Sequence, residues 1–175
     1  MRRRHRKSDC PIHFALEVFG DAWALLIIRD LMFKGRTTYT DFLRAEEGIA
    51  TNVLADRLVR LEEDGIILKQ RDSTRGGAHY RLTPKGIDLL PIMLEIIGWS
   101  AKYDVNTAAD RGFVQRIRTG KIELTAELRA ELEAGDAGKG KEIAAEHPSK
   151  RRYKGPLLTE GKAPQLEQHL SQGLG

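Results

Sequence analysis

One stretch limits this chain more than any other: GIATNVLADRLVRLEEDGIILKQRDSTRGGAHYRLTPKG, residues 48–86. Its period changes twice. After Thr51, whose hydroxyl suits a helix N-cap, Leu54, Leu58 and Leu61 recur at helical spacing, and Gly65 stands where a helix stops. Asn52, Asp56, Arg57 and Arg60 fall on the face away from those leucines. IILKQR then reads as a short strand and RDSTRGG as a basic turn. AHYRL reads as a second strand, with Tyr80 and Leu82 on one face and His79 and Arg81 on the other.

A polar, basic helix followed by a basic hairpin is a winged helix-turn-helix layout. The helix would enter a DNA major groove and the hairpin would lie on neighbouring phosphates. The expected DNA contacts are Thr51, Asn52, Asp56, Arg57 and Arg60 on the helix, with Arg71, Arg75 and His79 in the wing. The plainer reading pairs the two helix arginines with the nearby acids Asp56, Glu62, Glu63 and Asp64 on a solvated face. The exposed face reads as free of large apolar residues.

The flanking segments fit the same layout. Cys10-Pro11 starts a first helix with Ile12, Leu16 and Phe19 on one stripe, closed by Gly20; proline loses nothing at a first helical position. Trp23–Phe33 is apolar almost all round and should be the most buried helix. Thr38-Tyr39 suits a short strand, Thr40 a cap for DFLRAEE, and Gly48 the sharp turn between two short helices. After the wing, Thr83 caps what reads as one long helix from Pro84 to about Tyr103, kinked at Pro91. Ile87, Leu90, Leu94, Ile97 and Ala101 form one apolar stripe; Leu89, Ile92, Ile96, Trp99 and Tyr103 form a second on nearly the opposite face. One stripe can cover its own domain. The other calls for a second apolar surface, most simply the same helix of a second copy, so Leu89, Ile92, Ile96 and Trp99 are expected at a homodimer interface.

The fold expected is therefore mainly α with a small β-hairpin, dimerising through terminal helices. Residues 1–9 read as a basic arm, 10–103 as the DNA-binding and dimerisation domain, 104–134 as a helical extension, and 135–175 as a loosely attached tail with basic residues Lys150, Arg151, Arg152 and Lys154. The net charge of +4 fits a nucleic-acid partner without requiring one. A single cysteine excludes an internal disulfide and suits a reducing cytoplasm. No apolar run reaches transmembrane length, and no apolar core with a small-residue cleavage site follows the basic start, so neither a membrane span nor a signal peptide is expected. The five scattered histidines make no metal site, no cofactor is implied, and there is no phosphate loop, nucleophile elbow or paired carboxylate to suggest an enzyme. Two functions survive: a DNA-binding transcriptional regulator, and a winged helix used only to bind other proteins.

The order of motifs resembles the HxlR-type family of bacterial winged helix-turn-helix regulators over roughly residues 10–103. The likeness is carried by Cys10-Pro11, G-x-x-W-x-L-L-I-I-R-D-L from Gly20 to Leu31, Gly48-Ile49, L-x-x-R-L-x-x-L-E-x-D-G from Leu54 to Gly65, and Y-x-L-T-x-x-G from Tyr80 to Gly86. The resemblance implies homodimeric DNA-binding repressors or activators, located in the bacterial cytoplasm and on the nucleoid. It also implies that the first and last helices of the domain form the interface, which adds Ile12 and Leu16. The family's usual recognition-helix chemistry implies a neutral or basic residue where Asp56 stands; an acid there can accept from a cytosine amine. Some members sense thiol-reactive compounds through the N-terminal cysteine, which corresponds to Cys10. Its expected N-cap position, where the helix dipole favours a thiolate, and the nearby Arg2–Lys7 arm agree with that role, while Asp9 opposes it. The effector is left open.

Overall fold

The computed structural model describes residues 8–72, 77–104 and 106–135. Most of the basic arm, Arg75 at the wing tip and the tail with its Lys150–Lys154 cluster lie outside the described residues. The elements run α1 (Pro11–Phe19), α2 (Ala22–Phe33), α3 (Tyr39–Leu43), α4 (Thr51–Glu63), β1 (Ile67–Asp72), β2 (Gly77–Leu82), α5 (Pro84–Ile87), α6 (Leu90–Tyr103), α7 (Arg111–Thr119) and α8 (Lys121–Glu133). None of the described helices is by itself long and apolar enough to cross a membrane.

The centre is α2, whose residues Ala24, Ile27, Ile28, Leu31, Met32 and Phe33 are all buried. Around it α4 turns Leu54, Leu58 and Leu61 inward, and the ring of Phe42 on α3 lies 5.9 Å from that of Tyr80 on β2. Asp21 caps α2 by accepting from the N–H groups of Trp23 and Ala24. A reciprocal capping box of Thr38 and Asp41 starts α3, so Thr38 and not Thr40 is its cap. Nor does Thr51 cap α4: Ala50 holds the N-cap position with extended backbone, and Thr51 is already the first helical residue. Gly48 and Gly65 bracket α4 with φ of +68° and +69°, where a Cβ is strained. Strands β1 and β2 pair antiparallel from Ile67 opposite Leu82 to Asp72 opposite Gly77. Thr38 adds a single antiparallel bridge to His79, which is all that forms of the expected strand at Thr38-Tyr39.

The long helix expected from Pro84 to Tyr103 is two helices. Thr83 caps α5, which ends at Ile87, and α6 starts at Leu90 with Pro91 in its first turn. Proline has no N–H to give the carbonyl four residues back, and its ring would strike that carbonyl, so the chain breaks there instead of kinking. The break also moves Leu89. It is only 7% exposed and belongs to the chain's own core, which corrects its expected place on the outer stripe.

The helical extension is part of that core. Phe113, Ile117, Leu124 and Leu128 join the same buried cluster as Ile28 and Leu54. The Phe113 ring meets Phe33 edge-on at 6.3 Å, and Arg129 of α8 pairs with Asp88 at 2.9 Å. Leu124 has no exposed surface. Leu124→Ala is therefore expected to destabilise the whole domain by about 2–5 kcal/mol in one cooperative urea transition. A separate early transition of α7–α8, with the remainder unaffected, would contradict this.

Candidate nucleic-acid interface

The solvent face of α4 carries Thr51, Asn52, Ala55, Asp56, Val59 and Arg60, all exposed. At about 100° per residue, Asn52 and Val59 stand nearly one above the other at the middle of this face. Val59 is 54% exposed, so the face is not free of large apolar residues as its composition suggested. Neither Ala55 nor Val59 is among the contacts expected from the sequence. A branched apolar side chain left in water at the centre of a polar face was the available signal, and such a group suits the methyl of thymine. The first turn of α4 is pinned from α3, where the Tyr39 hydroxyl donates to the Thr51 carbonyl at 2.9 Å.

The arginines differ from each other. Arg60 is half exposed and pairs with Asp56 one turn back at 3.0 Å. Arg57 follows Leu54 by three and precedes Leu61 by four, which puts it beside the buried stripe and not on the opposite face. Its Nε and one terminal nitrogen donate to the two Asp21 oxygens at 2.7 and 3.0 Å, and its other terminal nitrogen pairs with Asp56. The partner weighed from sequence was an acid of the same helix; the bidentate partner is the cap of α2. Asp56, the acid unexpected on this helix, joins both arginines.

In the wing, alternation puts Lys69, Arg71, Ala78 and Tyr80 on one face of the hairpin and Leu68, Gln70, His79 and Arg81 on the other. Arg71 and His79 are both exposed, yet they lie on opposite faces and cannot follow the same phosphate run. His79 Nδ1 lies 3.3 Å from the Thr37 hydroxyl, and the Tyr80 N–H donates to the Thr37 carbonyl at 2.7 Å. The root of the wing is thus fastened to the loop after α2.

That loop is fastened in turn by residues the sequence reading left out. Asp30, 2% exposed, accepts from Arg29 at 2.6 and 2.9 Å and from Arg36 at 3.2 Å. Arg29 reaches on to Glu47, in the turn before α4. Arg-Asp at the end of an apolar helix was the visible cue.

On the other side of the molecule, Ile92, Ile96, Trp99 and Tyr103 line α6 at 40–66% exposure, and Ile12 and Leu16 on α1 reach 69% and 59%. The Trp99 and Tyr103 rings are 5.1 Å apart. Cys10 is exposed at the N-cap of α1; its N–H donates to the Ser8 hydroxyl, and its thiol makes no capping bond.

A three-helix unit with a hairpin wing rooted beside its exposed helix defines a winged helix-turn-helix protein. The HxlR-like helix-turn-helix family profile matches residues 18–107, and the chain belongs to that family of transcriptional regulators, which are not enzymes. It is similar to the uncharacterized HTH-type transcriptional regulator YvaP of Bacillus subtilis, 31% identical over 103 residues that cover 57% of this chain and 93% of that protein. Among solved structures it is similar to the redox regulator HypR in its oxidized form, at 29% identity and a TM-score of 0.51, covering 54% of this chain and 98% of that one. It is also similar to a regulator assigned to the MarR family from Porphyromonas gingivalis W83, at 31% identity and a TM-score of 0.51, covering 58% of this chain and all of that one. Helices α7 and α8 lie beyond the family match.

The Arg57 guanidinium holds the Asp21 carboxyl below its ordinary range; partial burial works against this, and the Ala24 and Trp23 N–H groups add to it. A lowered carboxylate stabilises the fold above its unfolded pKa of about 3.9 and loses that contribution as pH falls through the native value. The stability difference between wild type and Asp21→Asn is thus expected to be constant above about pH 5 and to shrink in more acid solution. Urea titrations from pH 7 downward measure it, and a difference that grows toward acid would refute the assignment.

Proposed function

We propose that this chain is a sequence-specific DNA-binding regulator that acts as a homodimer in the bacterial cytoplasm, and on the nucleoid when bound. The observation that carries this reading is the face of α4, where Asn52, Val59 and Arg60 stand exposed beside a wing rooted on the same scaffold. Asn52 offers an amide for an adenine edge, Val59 a surface for a thymine methyl, and Asp56 an acceptor for a cytosine amine. Thr51, Arg60 and the wing residues Arg71, Arg75 and His79 supply phosphate contacts that set register, with Arg71 and His79 on different phosphate runs because they lie on opposite faces of the hairpin. In this reading α4 enters the groove, and Arg57 at its flank is the least suited of the five helix residues to touch a base. Two such helices, related by a two-fold axis, would read half-sites about one helical turn apart.

The homodimer is supported by the apolar strip on α6, with Ile12 and Leu16 as the contribution of α1. Exposed aromatic and branched side chains on that scale are usual at interfaces. Val59 also gives some weight to a second reading, a winged helix that binds another protein through α4 without touching DNA. Cys10 is proposed as a thiol that responds to oxidants, a reading supported by its exposure and by the likeness to HypR. Two such thiols, one from each subunit, would lose two electrons and two protons to the oxidant and join as a disulfide.

Fragments of genomic DNA selected by binding supply a specific duplex, and a shuffled duplex of equal length serves as control. Failure to select any sequence would favour the protein-binding module. Asn52→Ala is expected to weaken the selected duplex by about 1–3 kcal/mol and barely affect the control. Arg71→Ala is expected to weaken both alike and to reduce the salt slope by about 1. Ile96→Glu is expected to sediment as a monomer where the wild type is a dimer, and a wild-type monomer at micromolar concentration would end the dimer reading. Diamide should change DNA binding of the wild type and leave Cys10→Ser unaffected; equal responses would remove Cys10 from the scheme.

A further inference from the structure

Asp21 makes more contacts than a helix cap needs. Its Oδ1 accepts from the Trp23 and Ala24 N–H groups and from Arg57 Nε, while Oδ2 accepts from the same guanidinium. One carboxylate therefore starts α2 and grips α4. The grip is bidentate, the geometry in which an exposed ion pair keeps its worth. From Arg57 the charges continue in alternation through Asp56 to Arg60, along the side of α4 toward its exposed face.

The other end of this chain of charges is a corner. Only Gly20 separates α1 from Asp21, and the axes of α1 and α2 meet at 74°. A Cβ on Gly20 would lie 2.6 Å from the carbonyl oxygen of Leu16, in the last turn of α1 itself, so the junction has no room for a side chain. No residue of α1 is fully buried. Of the helices around the core it is the one least held by its own chain, and its only covalent route into the domain runs through Gly20 and Asp21.

We infer that Asp21 is the positioning residue of the recognition helix, with Arg57 as its clasp and not a reader of bases, and that this pair carries displacement of α1 into α4. The inference rests on the DNA-binding reading for its consequence, but the clasp itself is a property of the free protein. A shift of the corner moves the carboxylate, the guanidinium follows it, and α4 turns relative to α2. Arg60 moves with it through Asp56.

Asp21→Asn in the full-length protein separates this from the alternatives, because asparagine caps a helix about as well as aspartate and keeps the start of α2. Removing an acid near bound DNA should strengthen binding if charge alone matters, and a freed Arg57 should strengthen it further if that arginine reads bases. The positioning role predicts the opposite sign: affinity for the selected duplex falls by roughly tenfold, the scale of a lost charge-assisted hydrogen bond, while shuffled DNA is held as before or slightly tighter. Arg57→Lys keeps the charge but not the fork and is expected to behave the same way. In the absence of DNA, hydrogen exchange in the first two turns of α4 is expected to speed up by roughly tenfold in both variants, with α6 and α8 unchanged. Tighter or unchanged specific binding by Asp21→Asn, or α4 exchange equal to wild type, overturns the inference. If the wild type selects no DNA at all, the DNA-binding reading fails by itself and the exchange rates alone decide the clasp.

Discussion

A buried carboxylate holds this molecule in register. Asp30 sits near the end of the most buried helix, almost out of contact with water, where an unpaired charge would cost several kcal/mol. Arg29 and Arg36 satisfy it, and Glu47 takes the other side of Arg29. Burial works against the charge on Arg29, but Glu47 and Asp30 outweigh it; burial also works against Glu47, and Arg29 outweighs that. The backbone carbonyl of Asp30 meanwhile accepts from Lys34 and Arg36. The end of α2, the loop that carries the wing root and the turn that delivers α4 are thus tied to one residue. The wing root and the turn before α4, which flank the surfaces proposed to meet DNA, take their position from α2 through this cluster, while Asp21 holds the side of α4.

Much of this was legible in the sequence. Periodicity located α4, the hairpin and the helical character of the extension, though not its division into two helices, because burial on one face leaves a repeating trace; α2 was marked by being apolar almost all round. The differences have separate causes, and one of them needed a partner distant in the chain. Arg57 was assigned by its polarity to the solvent face, although its spacing from Leu54 and Leu61 puts it beside the buried stripe. Only the fold reveals that the cap of α2 waits there. By residue type Thr51 suits a cap, but a cap needs extended backbone, and at this turn that falls on Ala50. Leu89 fitted an outer stripe only while α5 and α6 were drawn as one straight helix. Val59 was overlooked because valine usually signals a core.

Helix α6 shows how one element can face two ways. Its inner stripe, Leu90, Met93 and Leu94, is covered by its own chain, partly by helices that lie beyond the family match. Gly98 leaves just enough space for Ile117 of α7, which would stand 3.3 Å from a Cβ there. The outer stripe has no such cover among the described residues. The extension therefore removes one of the two apolar faces from any competition for partners.

That extension also sets an order of events. The apolar surface of α2 is complete early in the chain, whereas Phe113, which meets Phe33, and Leu124 and Leu128 come much later. Contacts between such distant segments form slowly, because the entropy of closing the intervening loop is lost before they contribute. A chain leaving the ribosome from its amino end can assemble helix, turn and wing while one side of the core is still bare. The segment that ends at Tyr103 is thus in time an intermediate, with a greasy flank that α7 and α8 close. Until then it is the kind of nascent species that chaperones hold.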